Sequence, residues 1–259
     1  MASFIWFLSV VFYAKLMCAE STDKLVSLDC QGEIHGVYGE DSLLKCSVKS
    51  SGDPVKIIMV SWWRTGEDTP LFVVSNGEIV QQKDQRFSLA HPGSSIDVSF
   101  LVKNTKRTDE GKYQCQVITD SGEDQSVISL YVIATYSQPD MSSVPEKDIV
   151  EDTEITLFCN ASGGYPVGMV HWYGVFGTNW TRSAVTTVEK TTDKRVNLSS
   201  KYTLRASSSF PTYRCSVLNS KGVEEGKAEL HLPFREQSVK ATDPEKGALN
   251  VIRMQRIQT

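Results

Sequence analysis

The spacing of cysteine and tryptophan constrains this chain of 259 residues more than any other feature. Cys46 and Cys115 stand 69 residues apart with Trp62 16 residues after the first, and Cys159 and Cys215 stand 56 apart with Trp172 13 after the first. A Cys…Trp…Cys unit occurring twice predicts two domains, closed by the disulfides Cys46–Cys115 and Cys159–Cys215. Each bridge is expected to stabilise its domain by about 4 kcal/mol through loop closure. Cys30 is left over, and three readings of it stay open: a buried thiol, a link to another chain, or a second bridge in the first domain.

Disulfides need an oxidising compartment, and the N-terminus points to one. Residues 4–14, FIWFLSVVFYA, are almost wholly apolar and are followed by the small residues Cys18 and Ala19. This is the pattern of a secretory signal over residues 1–19, too short an apolar run to span a bilayer. No later stretch approaches a membrane-spanning length, so the sequence as written reads as an extracellular, secreted product.

In an immunoglobulin sandwich the disulfide joins strands B and F across two sheets, and a tryptophan on strand C packs against it. The fold expected here is therefore all-β, with two such sandwiches in tandem: variable-type over residues 20–134, then constant-type over 135–234. The longer first interval leaves room for the extra C′ and C″ strands. Asp109-Glu-Gly111-Lys-Tyr113-Gln-Cys115 reads as the turn into strand F, with Arg86 placed to pair with Asp109. Leu44, Cys46 and Val48 alternate on strand B, Val98, Phe100 and Val102 on E, and Ile128, Leu130 and Val132 on G. In the second half Val170-His-Trp172 supplies strand C, Tyr202, Leu204 and Ala206 strand E, and Tyr213-Arg-Cys215 strand F. The Asp-x-Gly-x-Tyr turn is replaced there by Ser208-Ser-Phe-Pro211, which favours the constant type. Between the domains, residues 134–139 form a short connection expected to limit hinge motion without abolishing it.

Several classes of function are excluded. Lys+Arg 27 against Asp+Glu 31 gives a net charge of −4, which offers no field for nucleic acid. His35, His91, His171 and His231 lie far apart without metal-ligand spacing. There is no nucleophile elbow, phosphate loop or triad spacing, so no enzyme, cofactor, metal or small-molecule substrate is expected.

Cys159-Asn-Ala-Ser-Gly-Gly164-Tyr165-Pro166-x-x-x-Val170-x-Trp172 is similar to a Gly-Tyr-Pro segment between strands B and C of the inner domain of T-cell co-signalling ligands and butyrophilins. Gly39-Glu-Asp-Ser-Leu-Leu-Lys-Cys46 with Val60-Ser-Trp62 is a second resemblance, in the outer domain. The likeness covers roughly residues 28–233. It implies a ligand that binds an immunoglobulin-type receptor on T cells and raises or lowers their activation, at the external side of the plasma membrane. Members usually carry a stalk, one transmembrane helix and a cytoplasmic tail. Residues 235–259 read instead as a disordered tail, so either a secreted form is encoded or the anchoring exon is missing. A homophilic adhesion protein and a soluble decoy are the competing functions, and a weak homodimer is compatible with either.

The resemblance implies contact through the exposed face of the outer domain's GFCC′ sheet. With Trp62 in the core, alternation puts Ser61 and Trp63 on that face, with Gln114, Gln116 and Ile118 on strand F and Ser129 and Tyr131 on strand G. Leu71-Phe-Val-Val74 is expected as an apolar C′ edge. A second reading has Trp63 packing under C′ or exchanging roles with Trp62. Three glycosylation sequons, at Asn160, Asn179 and Asn197, all lie in the inner domain.

Overall fold

The computed structural model describes residues 24–235, so residues 1–19, expected as a secretory signal, and the expected C-terminal tail beyond residue 235 lie outside the described residues. The described chain divides into two compact units, residues 24–134 with Thr191–Arg195, and residues 135–190 with 196–235. Both are built from strands, and among the described residues no helix is long and apolar enough to cross a membrane.

The first unit runs β1 (Val26–Cys30), β2 (Glu33–Val37), β3 (Ser42–Leu44), β4 (Cys46–Ser50), β5 (Ile57–Arg64), β6 (Phe72–Ser75), β7 (Glu78–Gln82), β8 (Phe87–Leu89), β9 (Phe100–Val102), β10 (Gly111–Thr119) and β11 (Gly122–Ile133). One sheet has the order β2-β11-β10-β5-β6-β7, which is A′GFCC′C″ in immunoglobulin lettering. The opposing layer consists of β1 on β4 and of β3-β9-β8. Two-residue alternation decides which side chains meet between the layers: Tyr113, Cys115 and Val117 of β10 are fully buried, as are Ile128, Leu130 and Val132 of β11. The expected faces of strands B and E hold as well, with Leu44, Cys46, Val48, Val98, Phe100 and Val102 all in the core.

At the centre of this core the Trp62 indole stacks on Phe100, with centroids 5.0 Å apart, and donates from Nε1 to the Val98 carbonyl at 3.1 Å. The expected ion pair closes one end. Arg86 donates twice to the Asp109 carboxylate, at 2.7 and 3.1 Å, and the Lys106 amide donates to it at 2.8 Å. Tyr113 Oη donates to the Asp109 carbonyl at 2.5 Å, pinning the turn to the strand it feeds. The paired carboxylate holds the Arg86 guanidinium in its charged form more strongly than water would.

The disulfide of this unit departs from the spacing argument. Cys46 is bonded to Cys30, and Cys115 is a free thiol in the core. The physical reason is register. Cys30 and Cys46 are direct partners in the β1–β4 ladder, with Cα atoms 4.1 Å apart, and their pairing leaves Cys115, on β10 across the layers, without a sulfur partner. The leftover Cys30 is thus half of a bridge, and the buried thiol falls to Cys115. Burial in apolar surroundings pushes that thiol far above its ordinary range.

The second unit runs β12 (Asp140–Val144), β13 (Glu154–Gly164), β14 (Met169–Gly174), β15 (Ala184–Lys190), β16 (Val196–Arg205), β17 (Thr212–Leu218) and β18 (Glu224–His231). Its seven strands form sheets β12-β13-β16-β15 and β14-β17-β18, the ABED and CFG arrangement of a constant-type domain. Here Cys159–Cys215 joins β13 to β17 across the layers as the spacing predicts. Trp172 lies fully buried within this core and donates from Nε1 to Ser200 Oγ at 2.9 Å. The Gly-Tyr-Pro segment also has a packing reason: a Cβ on Gly164 would stand 2.3 Å from the Tyr136 ring, and one on Gly168 2.2 Å from the Leu218 carbonyl. Tyr136 Oη, accepting from the Gly168 amide at 2.9 Å, fills the room those glycines leave.

Candidate functional site

The outward face of the six-stranded sheet is organised in rows set by strand register. Trp63 of β5 opposes Gln114 of β10, which opposes Val127 of β11. In the next row Val73 of β6 opposes Ser61, then Gln116, then Gln125. Met59 and Ile118 form a third pair, and Lys112, Ser129 and Glu33 a fourth row at the other end. Six of the seven sequence-selected residues, Trp63, Gln114, Gln116, Ile118, Ser129 and Tyr131, are half-buried or exposed on this one face.

Ser61 is the exception. It points to this face, as alternation requires, but is only 2% exposed. The cause is its neighbour two residues on: the Trp63 indole folds over it and donates from Nε1 to Ser61 Oγ at 3.0 Å. Ser61 therefore fixes the indole rather than meeting a partner. Gln114 donates to Gln125 at 2.8 Å, which orients two amides of adjacent strands against each other. At the A′ side Tyr131 stacks on His35, with centroids 5.4 Å apart.

Two further features went unread in the sequence. Val127, 49% exposed, shares the parity of Ser129 and Tyr131 on β11, and extending that count by one step finds it. His35 joins through the parallel pairing of β2 with β11, for which the sequence holds no local signal. The C′ segment also differs from the expected edge. Leu71 and Phe72 are core residues, and β7 covers that side through its ladder with β6, so the edge carries the exposed Ile79 and Val80. Phe72 belongs to the core because β6 must bury one face beside Trp62, its partner in the ladder, and Leu71, also buried, lies just before the strand begins.

The arrangement offers no chemistry of its own. Its centre is uncharged, with an indole, amides and aliphatic groups, while Glu33, Lys112 and Glu123 lie at the ends of the strands. An apolar and amide centre with charge at the margin is the composition of a protein-binding surface. Among the described residues no cluster of three or more His, Cys, Asp or Glu could hold a metal ion.

Residues 30–133 match the immunoglobulin V-set domain family, and residues 138–222 match the CD80-like C2-set immunoglobulin domain family. The chain belongs to the immunoglobulin superfamily. Within it the chain is butyrophilin-like and, like the proteins it resembles, non-enzymatic. The CD276 antigen homologue of Xenopus laevis is 28% identical over 193 residues, covering 71% of this chain and 61% of the relative. Butyrophilin subfamily 1 member A1 of Bos taurus is 28% identical over 148 residues, covering 55% of this chain and 27% of the relative. The chain thus spans 61% of the length of the first of these relatives and 27% of the second, less than two thirds of either. The crystal structure of bovine butyrophilin shares its fold, with a TM-score of 0.65 at 22% identity, covering 80% of this chain and 99% of that one.

Proposed function

We propose that this butyrophilin-like ectodomain acts outside the cell as a co-signalling ligand, binding an immunoglobulin-type receptor on T cells through the outward face of its V-set sheet. The observation that carries the reading is the row Trp63, Gln114 and Val127, uncharged and partly exposed at the middle of a six-stranded sheet. A flat sheet face with a rigid aromatic centre suits contact with a second sheet of the same kind. Trp63 is the anchor, Gln114, Gln116 and Ile118 extend the contact along β10, and Ser129 and Tyr131 extend it along β11. The inner unit carries all three sequons, and glycans on Asn160, Asn179 and Asn197 would shield that unit while leaving the V-set face free.

Contact of this type is transient and on the order of micromolar. The test is staining of resting and activated T cells by a multimer of the secreted chain, since multivalency compensates for weak single sites. Selective staining that Trp63→Ala abolishes, while the far-ultraviolet spectrum and thermal midpoint stay unchanged, supports the reading. No staining, combined with self-association that Trp63→Ala removes, would replace it with homophilic adhesion.

A further inference from the structure

Phe176 is 90% exposed, more than any other large hydrophobic residue described. Its backbone is left-handed, at φ 67° and ψ 14°, a conformation that costs a bulky residue free energy and suits asparagine or glycine. The turn alone does not ask for an aromatic ring. Its loop is closed by the Gly174 amide donating to the Thr178 carbonyl at 2.9 Å, and at the stem Tyr173 bridges Asn179. Phe176 therefore stands at the tip, three residues before the asparagine of the sequon Asn179-Trp-Thr181. Asn179 is exposed, and its Oδ1 accepts from the Thr181 amide at 2.9 Å, which fixes the direction of the side chain.

Phe176 does not stand alone. Trp180, 40% exposed, stacks on Tyr202 with centroids 6.3 Å apart and planes 18° from parallel, and Phe210 is 49% exposed. These four rings line a cleft of about 330 Å³, with Arg205 and Ser207 at its wall. Tyr202 is a core residue that forms the floor, while Phe176, Trp180 and Phe210 are exposed, and three exposed aromatic side chains in one place form a site or a liability. An N-acetylglucosamine ring has one face of C–H groups and an acetamide methyl that pack on aromatic faces, and hydroxyl groups that need polar partners. Thr178 and Trp180, on either side of Asn179 in the chain, line the cleft, so a sugar attached at Asn179 would be tethered near it and weak contacts suffice.

We propose that the aromatic cleft around Phe176 is a carbohydrate subsite acting in cis, which takes the proximal N-acetylglucosamine of the glycan on Asn179 and so stabilises the inner unit. This rests on the glycosylation reading above, and the two fail differently. The full chain is secreted from cells that leave high-mannose glycans, and glycopeptide mass spectrometry reads occupancy at Asn179. Thermal unfolding then compares protein trimmed to one N-acetylglucosamine by endoglycosidase H with protein stripped by a peptide N-glycosidase.

In the native sequence stripping is expected to lower the inner unit's midpoint by about 3–6 °C relative to trimming. In Phe176→Ala that difference should vanish, and in Phe176→Tyr it should persist. Alanine keeps the Cβ that makes the left-handed backbone costly, so the variant removes the ring without relieving the turn. The same comparison in both backgrounds cancels whatever Asn160 and Asn197 contribute. An equal loss with and without the Phe176 ring, at an occupied Asn179, overturns the subsite and leaves glycosylation standing. An unoccupied Asn179 overturns both.

Discussion

The two sandwiches solve one packing problem with different supplements. Each buries a strand C tryptophan completely and satisfies its indole N–H, Trp62 with the Val98 carbonyl and Trp172 with the Ser200 hydroxyl. In the inner unit the layers are joined covalently by Cys159–Cys215. In the outer unit the bridge lies within one layer, and what ties strand F at its start is polar: Arg86, Asp109 and Tyr113. The inner unit has no such corner, since Ser208-Ser-Phe-Pro211 occupies its place. A cross-layer disulfide and a buried carboxylate network are thus alternative ways to hold strand F against the core. The outer unit carries no sequon, and the centre of its six-stranded sheet face is uncharged.

The strongest way to break this comparison is to remove what the two units share. Trp62→Ala should cost the outer unit about 3–5 kcal/mol, and Trp172→Ala should do the same to the inner one. Calorimetry should show one transition displaced in each variant and the other in place. Next, replacing Cys159 and Cys215 together by serine should cost the inner unit about 2–5 kcal/mol, read from its denaturant midpoint. A smaller effect is expected from Asp109→Ala, about 2–3 kcal/mol in the outer unit. Asp84 and the carbonyls of Lys103 and Asn104 still accept from Arg86, so its charge is not stranded. If chemical denaturation found that variant as stable as the parent, the polar corner would not be the counterpart of the inner disulfide.

Trp63→Ala should weaken receptor binding by about 1–3 kcal/mol with no change in thermal midpoint. The mildest test leaves stability untouched. Burial raises the Cys115 thiol pKa, so the folded protein should resist alkylation at pH 9. Unfolding without reductant should expose it, and peptide mapping should find the label on Cys115. A label on Cys30 instead would restore the Cys46–Cys115 bridge and erase the contrast between the units.

Much of the candidate site was readable because β-structure writes its faces in steps of two. Once Trp62 was placed inside, Trp63, Gln114, Gln116, Ile118, Ser129 and Tyr131 followed, and Val127 lay one step further along the same count. Exposure was not readable by the same rule. Ser61 has the right parity, yet a neighbouring indole covers it, and no alternation pattern encodes which side chain lies over another. The Arg86–Asp109 pair was legible because its partners sit in a recurrent turn, whereas the stacking of His35 on Tyr131 depends on a parallel ladder between distant segments.

By itself the sequence determined two sandwiches, their order and the residues of each core, because hydrophobic periodicity and the Cys and Trp intervals are properties of the chain alone. Tertiary structure decided which sulfur meets which, since Cys46 has one candidate partner beside it in its ladder and another in the opposing layer. It also brought the Phe176, Trp180, Tyr202 and Phe210 rings to one cleft. Contacts of this kind join residues from separate strands and loops, and their geometry exists only after the chain has closed on itself.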